Sequence, residues 1–371
     1  MRLRAVELRR IRMDLVAPFE TSFGVQTEKD VLLVRALMDG AEGWGECVAG
    51  EKPDYSSEYV DSAQDVMVKH LLPRLLDRDI AAADVAKELR WVHGHPMAKS
   101  ALEMAVLDAE LRARGESFGH FFGATRAEVD CGVSVGIQPS IPELLRVVNA
   151  FLEQGYRRIK LKIKPGWDVE PVRAVREKFG DIALQVDANT AYSLSRAEHL
   201  AELDQFHLLL IEQPLPEDQV LAHASLAKVV QTPICLDESI ESYQNAADAI
   251  ELGACRIINI KPGRVGGYLE ARRIHDLCQA KNVPVWMGGM LETGIGRAGN
   301  VAMAAMPNFT LPGDTSASDR YFRRDITQPF VLRNGRLKVP SGPGLGVTVD
   351  EEFLDSITYF KETVAVASSG V

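Results

Sequence analysis

Apolar and polar positions divide the chain into three textures. In the first, VELRRIRMDL (6–15) and VLLVRALMDGAEGWGEC (31–47) alternate like strands around a turn at Asp39-Gly40, and helical spacing then takes over. KSALEMAVLDAELRARG (99–115) is the clearest helix, rich in Ala, Leu and Glu and stopped by Gly115. Strands followed by helices predict an α+β unit over residues 1–128. From residue 129 the pattern becomes eight short apolar runs, each followed by a turn and then a helical stretch: VDCGVSVGI, RRIKLKI, IALQVD, HLLLIE, TPICLDE, RIINIK, VPVWMGG and FTLPGD. Continuous apolar runs alternating with helices call for parallel strands buried on both faces, and eight of them suit a closed β/α barrel over 129–322. The third texture, 323–371, contains PFVLRNGRLKVPSGPGLG, which reads as a hairpin and a Pro/Gly loop; this tail is expected to leave the barrel and pack on the N-terminal unit.

Chemistry enters through spacing. Lys162, Asp187, Glu212, Asp237 and Lys261 each end an apolar run, at intervals of 25, 25, 25 and 24 residues. The C-terminal strand ends of a β/α barrel converge on one mouth, so these five charged side chains are expected to share a cavity. Three crowded carboxylates resist ionisation unless a hard divalent cation takes their oxygens, which predicts a metal, Mg²⁺ first and Mn²⁺ or another divalent ion next. A single acid at such a place would more often cap the following helix. Lys162 and Lys261 are four runs apart, hence on opposite sides of the mouth, with the acids between them. A carboxylate substrate held there would present its α-carbon to one lysine on each face, the arrangement that two-base proton transfer needs. Lys160, on the same strand face as Lys162, and Arg264 are expected to lower a lysine pKa or to orient a neighbour.

Composition narrows the setting. The 371 residues are 46% hydrophobic and carry a net charge of −10, which argues for a globular chain that does not bind nucleic acid or anionic membrane. Five widely spaced cysteines include no C-x-x-C pair and read as reduced core residues. No membrane span or signal-like apolar stretch is evident, so a cytoplasmic location is expected.

At the charged run ends the sequence resembles a known family. K-L-K (160–162), V-D-A-N (186–189), I-E-Q-P (211–214), L-D-E-S (236–239) and I-K-P-G-R-V-G-G (260–267) are similar to the enolase superfamily, in its muconate-lactonizing subgroup. FETSFG, GWGEC, GYRRIKLKIKPGWD, GGMLETGIGRA and LPGDTSASDR look most like o-succinylbenzoate synthases that also racemise N-acylamino acids. The resemblance implies a (β/α)7β modified TIM barrel, an α+β capping domain built from N- and C-terminal segments, a divalent cofactor, and a cytoplasmic homo-oligomer, an octamer by analogy. It implies that Asp187, Glu212 and Asp237 hold the metal, that Asn189 and Glu238 support them, and that Lys162 and Lys261 are the acid/base pair. Two reactions fit such a site: racemisation, with one lysine removing the α-proton and the other returning one, and o-succinylbenzoate formation by syn elimination of water. In the elimination, Lys162 moves both protons and Lys261 contributes its cation. The substrate is a small carboxylate, an N-acylamino acid or the o-succinylbenzoate precursor.

For substrate contacts, Phe19, Phe23 and Tyr55 are candidates for an apolar lid, with Ser134 and Gly289-Met290-Leu291 on the barrel side. Gly50 stands where relatives are expected to carry a larger apolar side chain. Dipeptide epimerases of the superfamily resemble one another in a D-x-D after the last strand; here that place reads Gly313-Asp314-Thr315-Ser316, which favours an acylated nitrogen over a free ammonium. Epimerase and cycloisomerase chemistry are the alternatives within the family, and a metal-stabilised barrel without catalysis is the alternative outside enzymes. A different class is suggested by Gly294-Ile295-Gly296-Arg297-Ala298-Gly299, a literal dinucleotide-binding G-x-G-x-x-G; it reads better as a tight turn opening a helix, with a carboxylate at its N-terminus.

Overall fold

The structure is a computed structural model and describes residues 1–366. A four-stranded antiparallel sheet opens the chain: β1 (Leu3–Thr21), β2 (Gly24–Met38) and β3 (Ala41–Cys47), with the β2–β3 turn at Asp39-Gly40 as expected. The helix Pro96–Arg114 packs against β3 and stops where Gly115 takes a left-handed φ of 67°. Its approach is close: a Cβ on Gly43 would stand 2.2 Å from the Ala105 carbonyl oxygen, so G-W-G in β3 admits no larger residue there. This contact fixes the sheet on a helix that is buried nearly all round.

Seven parallel strands follow in strict sequence order: β5 (Gly132–Val135), β6 (Arg158–Lys162), β7 (Leu184–Asp187), β8 (Ile211–Glu212), β9 (Ile234–Leu236), β10 (Ile257–Ile260) and β11 (Val285–Met287), preceded by the short β4 (Glu128–Asp130). Helical segments follow each of the seven. The eighth apolar run forms no extended strand, because Pro312 has no N–H to give to a ladder. It still closes the ring. Phe309 bridges to Val285 and Gly313 bridges to Cys131, both parallel, and Gly313 accepts from the Gly132 N–H at 2.7 Å. The barrel is therefore of the (β/α)7β kind. Leu210, Cys235, Ile257 and Trp286 make an apolar cluster of their own, and two residues further along three of these strands stand Glu212, Asp237 and Asn259. A strand's period of two thus stacks an apolar layer beneath a polar one.

The tail returns to the N-terminal sheet. β13 (Thr358–Ala365) pairs antiparallel with β1, so Leu8 and Arg10 face Glu362 and Phe360 across the ladder. The expected hairpin is only partly formed: Asn334 and Gly335 make the turn, with φ of 52° and 75°, but β12 (Arg336–Lys338) pairs with β4. All five cysteines are buried and unpaired, and no helix among the described residues is long and apolar enough to cross a membrane.

Candidate active site

Alternation along β6 puts Arg158, Lys160 and Lys162 on one side of the strand, and all three are buried. Lys162 Nζ lies 2.6 Å from both Asp187 Oδ2 and Asn189 Oδ1. Lys160 Nζ donates to Glu212 Oε2 at 3.0 Å and approaches Asp187 at 3.2 Å and Asp314 at 2.7 Å. Across the ring, Lys261 Nζ lies 2.7 Å from Asp237 Oδ2 and 3.2 Å from the Tyr55 hydroxyl, and Arg264 pairs with the other oxygen of Asp237. Asn189 donates to Glu238 Oε1 at 2.9 Å, and Asn259 donates to Glu212 Oε1 at 2.6 Å. The equal spacing along the sequence has become one contiguous charged layer, in which β6 and β10 hold the two lysines on either side of three carboxylates.

This packing sets the electrostatics. Burial pushes the Asp187 carboxyl up, but Lys162 and Lys160 override it and hold it well below the usual range. Burial and the Asp187 charge raise Glu212 to about 7, and the same two causes raise Glu238. Lys160 and Arg264 are expected from the sequence to lower a neighbouring lysine, yet the net shift at Lys261, beside Arg264, is upward, and Lys160 itself is also raised. Burial depresses Lys160 and Lys261, yet Asp314, Glu212 and Asp187 outweigh it at Lys160, and Tyr55, Glu238 and Glu212 outweigh it at Lys261, so both are held above the ordinary value.

The same pairing bears on the metal. Among the described residues no three His, Cys, Asp or Glu converge into a ready-made cage, and each of the three spaced carboxylates has at least one oxygen paired with an ammonium group. The donor set nevertheless suits a hard divalent cation: three buried carboxylates on successive strand ends, with Glu238 Oε2 buried beside them and without a hydrogen-bond partner.

Above this layer lies a cavity of about 460 Å³. Lys160, Lys162, Asn189 and Lys261 line its floor; Phe19, Phe23 and Tyr55 line the cap side; Ser134, Gly289, Met290 and Leu291 line the barrel side. Phe23 and Tyr55 meet edge to face with ring centres 6.1 Å apart. Tyr55 is more than a greasy lid, since its hydroxyl donates to Asp237 Oδ1 at 3.3 Å. Gly50 also lines the wall, and no histidine does. Asp187, Glu212, Asp237, Glu238 and Arg264 sit beneath the wall rather than on it.

Sequence reasoning gave no place in the site to four residues, Asp314, Arg158, Lys29 and Tyr321. Asp314 is clamped between Arg158 Nη1 at 2.8 Å and Lys160, and it accepts from Ser134 Oγ at 3.3 Å. It is spent on the protein's own cations. Its place at the end of the eighth run was a usable signal, as was Arg158's period-two relation to Lys160. Lys29 and Tyr321 also line the cavity, and nothing in their local sequence marks them. The G-x-G-x-x-G segment opens the helix Gly294–Ala304 and does receive carboxylates, but they are internal: Glu46 accepts from Thr293 and Gly296, and Asp325 from Gly294. A Cβ on Gly299 would stand 2.4 Å from the Tyr268 hydroxyl, so that glycine serves helix packing.

Comparison with known proteins covers nearly the whole chain. Residues 5–123 match the mandelate racemase / muconate lactonizing enzyme N-terminal domain, and residues 143–353 match the enolase C-terminal domain-like family. An N-succinylamino acid racemase of Amycolatopsis sp is 64% identical over 363 residues, covering 97% of this chain and 99% of the relative. An o-succinylbenzoate synthase of Geobacillus kaustophilus is 48% identical over 358 residues, 96% of each chain. A solved member of the enolase superfamily from Listeria innocua Clip11262 superposes with a TM-score of 0.95 at 41% identity, covering 99% of this chain and 100% of that one. A barrel of this topology, capped by its own termini and matched along both its parts, belongs to the enolase superfamily, in the group of mandelate racemase and muconate lactonizing enzyme.

Proposed function

We propose that this protein moves the proton α to a carboxylate, racemising N-acylamino acids, N-succinylamino acids foremost, and forming o-succinylbenzoate by dehydration. The observation that carries the reading is the placement of Lys162 and Lys261 at opposite sides of a single cavity, on strands four apart, with carboxylates between them. The two relatives named above support both activities.

An α-proton beside a carboxylate is weakly acidic, and its removal needs a positioned base and compensation for the charge that develops. A divalent cation, Mg²⁺ or a similar ion, held by Asp187, Glu212 and Asp237 would supply that compensation and compete with the lysines for their carboxylates. Lys162 as the free amine takes the α-proton from one face; Lys261 as the ammonium delivers a proton to the other, and exchanging their protonation states runs the reaction in reverse. Asn189 orients Lys162 through its 2.6 Å contact, and Arg264 holds Asp237 from below. Lys160 stays an ammonium, tied to three carboxylates, and so orients rather than abstracts. In the elimination Lys162 returns its proton to the leaving hydroxyl on the same face, while Lys261 keeps its charge. Phe19, Phe23 and Tyr55 exclude water above the reacting carbon.

The reading extends to a homo-oligomer in the cytoplasm. Light scattering of the purified protein tests the first part, and a monomer would refute it. The activity is tested by proton NMR of each enantiomer of N-succinyl-phenylalanine in D₂O with Mg²⁺, followed in parallel by optical rotation. Loss of the α-proton signal together with rotation is the expected result. No exchange from either enantiomer would refute racemisation, and a direct dehydration assay then decides the synthase activity alone.

A further inference from the structure

The cavity wall opposite the lid is the turn after β11, and it is clamped by charges that come from both parts of the molecule. Glu292 Oε1 accepts from the Met290 N–H at 2.9 Å and from Asn300 Nδ2 at 2.9 Å. Glu46, on β3, takes the Thr293 N–H at 3.0 Å and the Thr293 hydroxyl at 2.7 Å. Arg297 Nη2 donates to the Glu292 carbonyl at 2.9 Å. The last contact comes from the cap: Lys29, on β2, reaches the Met290 carbonyl oxygen with its ammonium. Between these anchors Leu291 sits at a φ of 57°, a left-handed conformation that a branched side chain adopts only when its surroundings impose it.

Lys29 is 2% exposed, faces Glu46 and Glu292, and also lines the cavity. Its ammonium is spent on a backbone carbonyl of the wall rather than on any of the site's carboxylates. We infer that Lys29 is a positioning residue: it ties the cap sheet to the Met290 wall, fixes how far that wall projects into the cavity, and so sets which substrate side chains and acyl groups fit. The link explains how a lid carried by one part of the fold stays matched to a wall carried by the other. This inference rests on the N-acylamino acid reading above for its substrate but not for its mechanical content.

The experiment uses Lys29→Met, which keeps the stem and removes the charge and the donor. Hydrogen exchange at the amides of residues 290–293 reads the clamp without any substrate; exchange should accelerate roughly tenfold, the effect of losing one charge-assisted hydrogen bond. Kinetics with N-succinyl-phenylalanine and N-succinyl-alanine reads specificity: KM should rise roughly tenfold for the larger substrate and little for the smaller, with kcat nearly unchanged. In a Met290→Ala background Lys29→Met should add much less to the KM ratio, because the side chain that the clamp holds in the cavity is gone. Unchanged exchange at 290–293 overturns the inference, as does a fall in kcat with KM intact, which would place Lys29 in the chemistry. Should Lys29→Met fail to fold, Lys29→Arg keeps the charge while its longer fork displaces the carbonyl, and a folded Lys29→Arg with wild-type KM values for both substrates also overturns it. A wild-type enzyme inactive on both substrates counts against the proposed function, while the exchange measurement still decides the clamp.

Discussion

Replacing Asp314 by Asn isolates the charge balance beneath the cavity. Asp314 is buried between Arg158 and Lys160, and although burial alone would raise its carboxyl, these two cations hold it far below the usual range. The amide keeps the shape and removes the charge. Lys160 retains Asp187 and Glu212, but Arg158 is left with the carbonyls of Val133 at 3.5 Å and Pro312 at 2.8 Å and with the face of Trp286. Breaking a buried pair by removing one partner costs roughly 3–5 kcal/mol. An unfolding entropy of about 2.1 cal/mol/K per residue gives about 0.8 kcal/mol/K for the 371-residue chain, so Tm should fall by roughly 5 °C. Calorimetry reads this directly. The sign with pH is fixed as well. A carboxyl depressed in the fold contributes stability above its unfolded value, so the gap between wild type and variant should be constant from about pH 5 upward and shrink only in stronger acid. The double variant Asp314→Asn/Arg158→Met removes both charges and should recover part of the loss. A Tm within about 1 °C of wild type for Asp314→Asn would refute the argument.

Lys162→Ala should cut both α-proton exchange and dehydration by roughly 10²–10⁴-fold, as measured by NMR exchange and a direct dehydration assay, and because it takes a buried partner from Asp187 it should also lower Tm in calorimetry. Asp237→Asn should weaken Mg²⁺ binding in titration calorimetry and lower activity together; undiminished binding would remove Asp237 from the metal set. His199 is hydrogen-bonded to Asp168 at 2.9 Å and to Glu202 at 3.1 Å, with Asp168 the larger influence raising its pKa. Its stabilising effect is complete below the unfolded value of about 6.5 and fades as pH rises through the raised one, so the Tm difference from His199→Gln should narrow as pH rises above about 6.5. Because His199 is a third exposed, the whole effect should stay under about 1 kcal/mol.

The local pattern carried the fold far. Short apolar runs alternating with helices determined the barrel, because strands buried on both faces cannot tolerate polar interruptions except where they end. The charged residues that close those runs were legible for the same reason: a side chain at a strand's C-terminal end in a barrel has one place to point. Gly115 and Asp39-Gly40 marked their helix end and turn because backbone preferences act within a few residues. Pro312 was equally visible, yet its consequence, an eighth run that closes the ring by isolated bridges, depends on two neighbouring strands.

What the tertiary structure alone decided is pairing over distance. Which cation neutralises which carboxylate is a matter of Å between residues far apart in the chain, as with Lys160 and Asp314 or Lys29 and the Met290 carbonyl. The direction in which Lys160 and Lys261 shift follows from that pairing, because burial and opposing charges act at once and only their geometry says which is larger. The glycine-rich motif is the plainest case. Its sequence determined a helix N-terminus able to receive an anion; the fold decided that the anions are Glu46 and Asp325 of the same chain, since the packing of the cap on the barrel delivers those carboxylates to it.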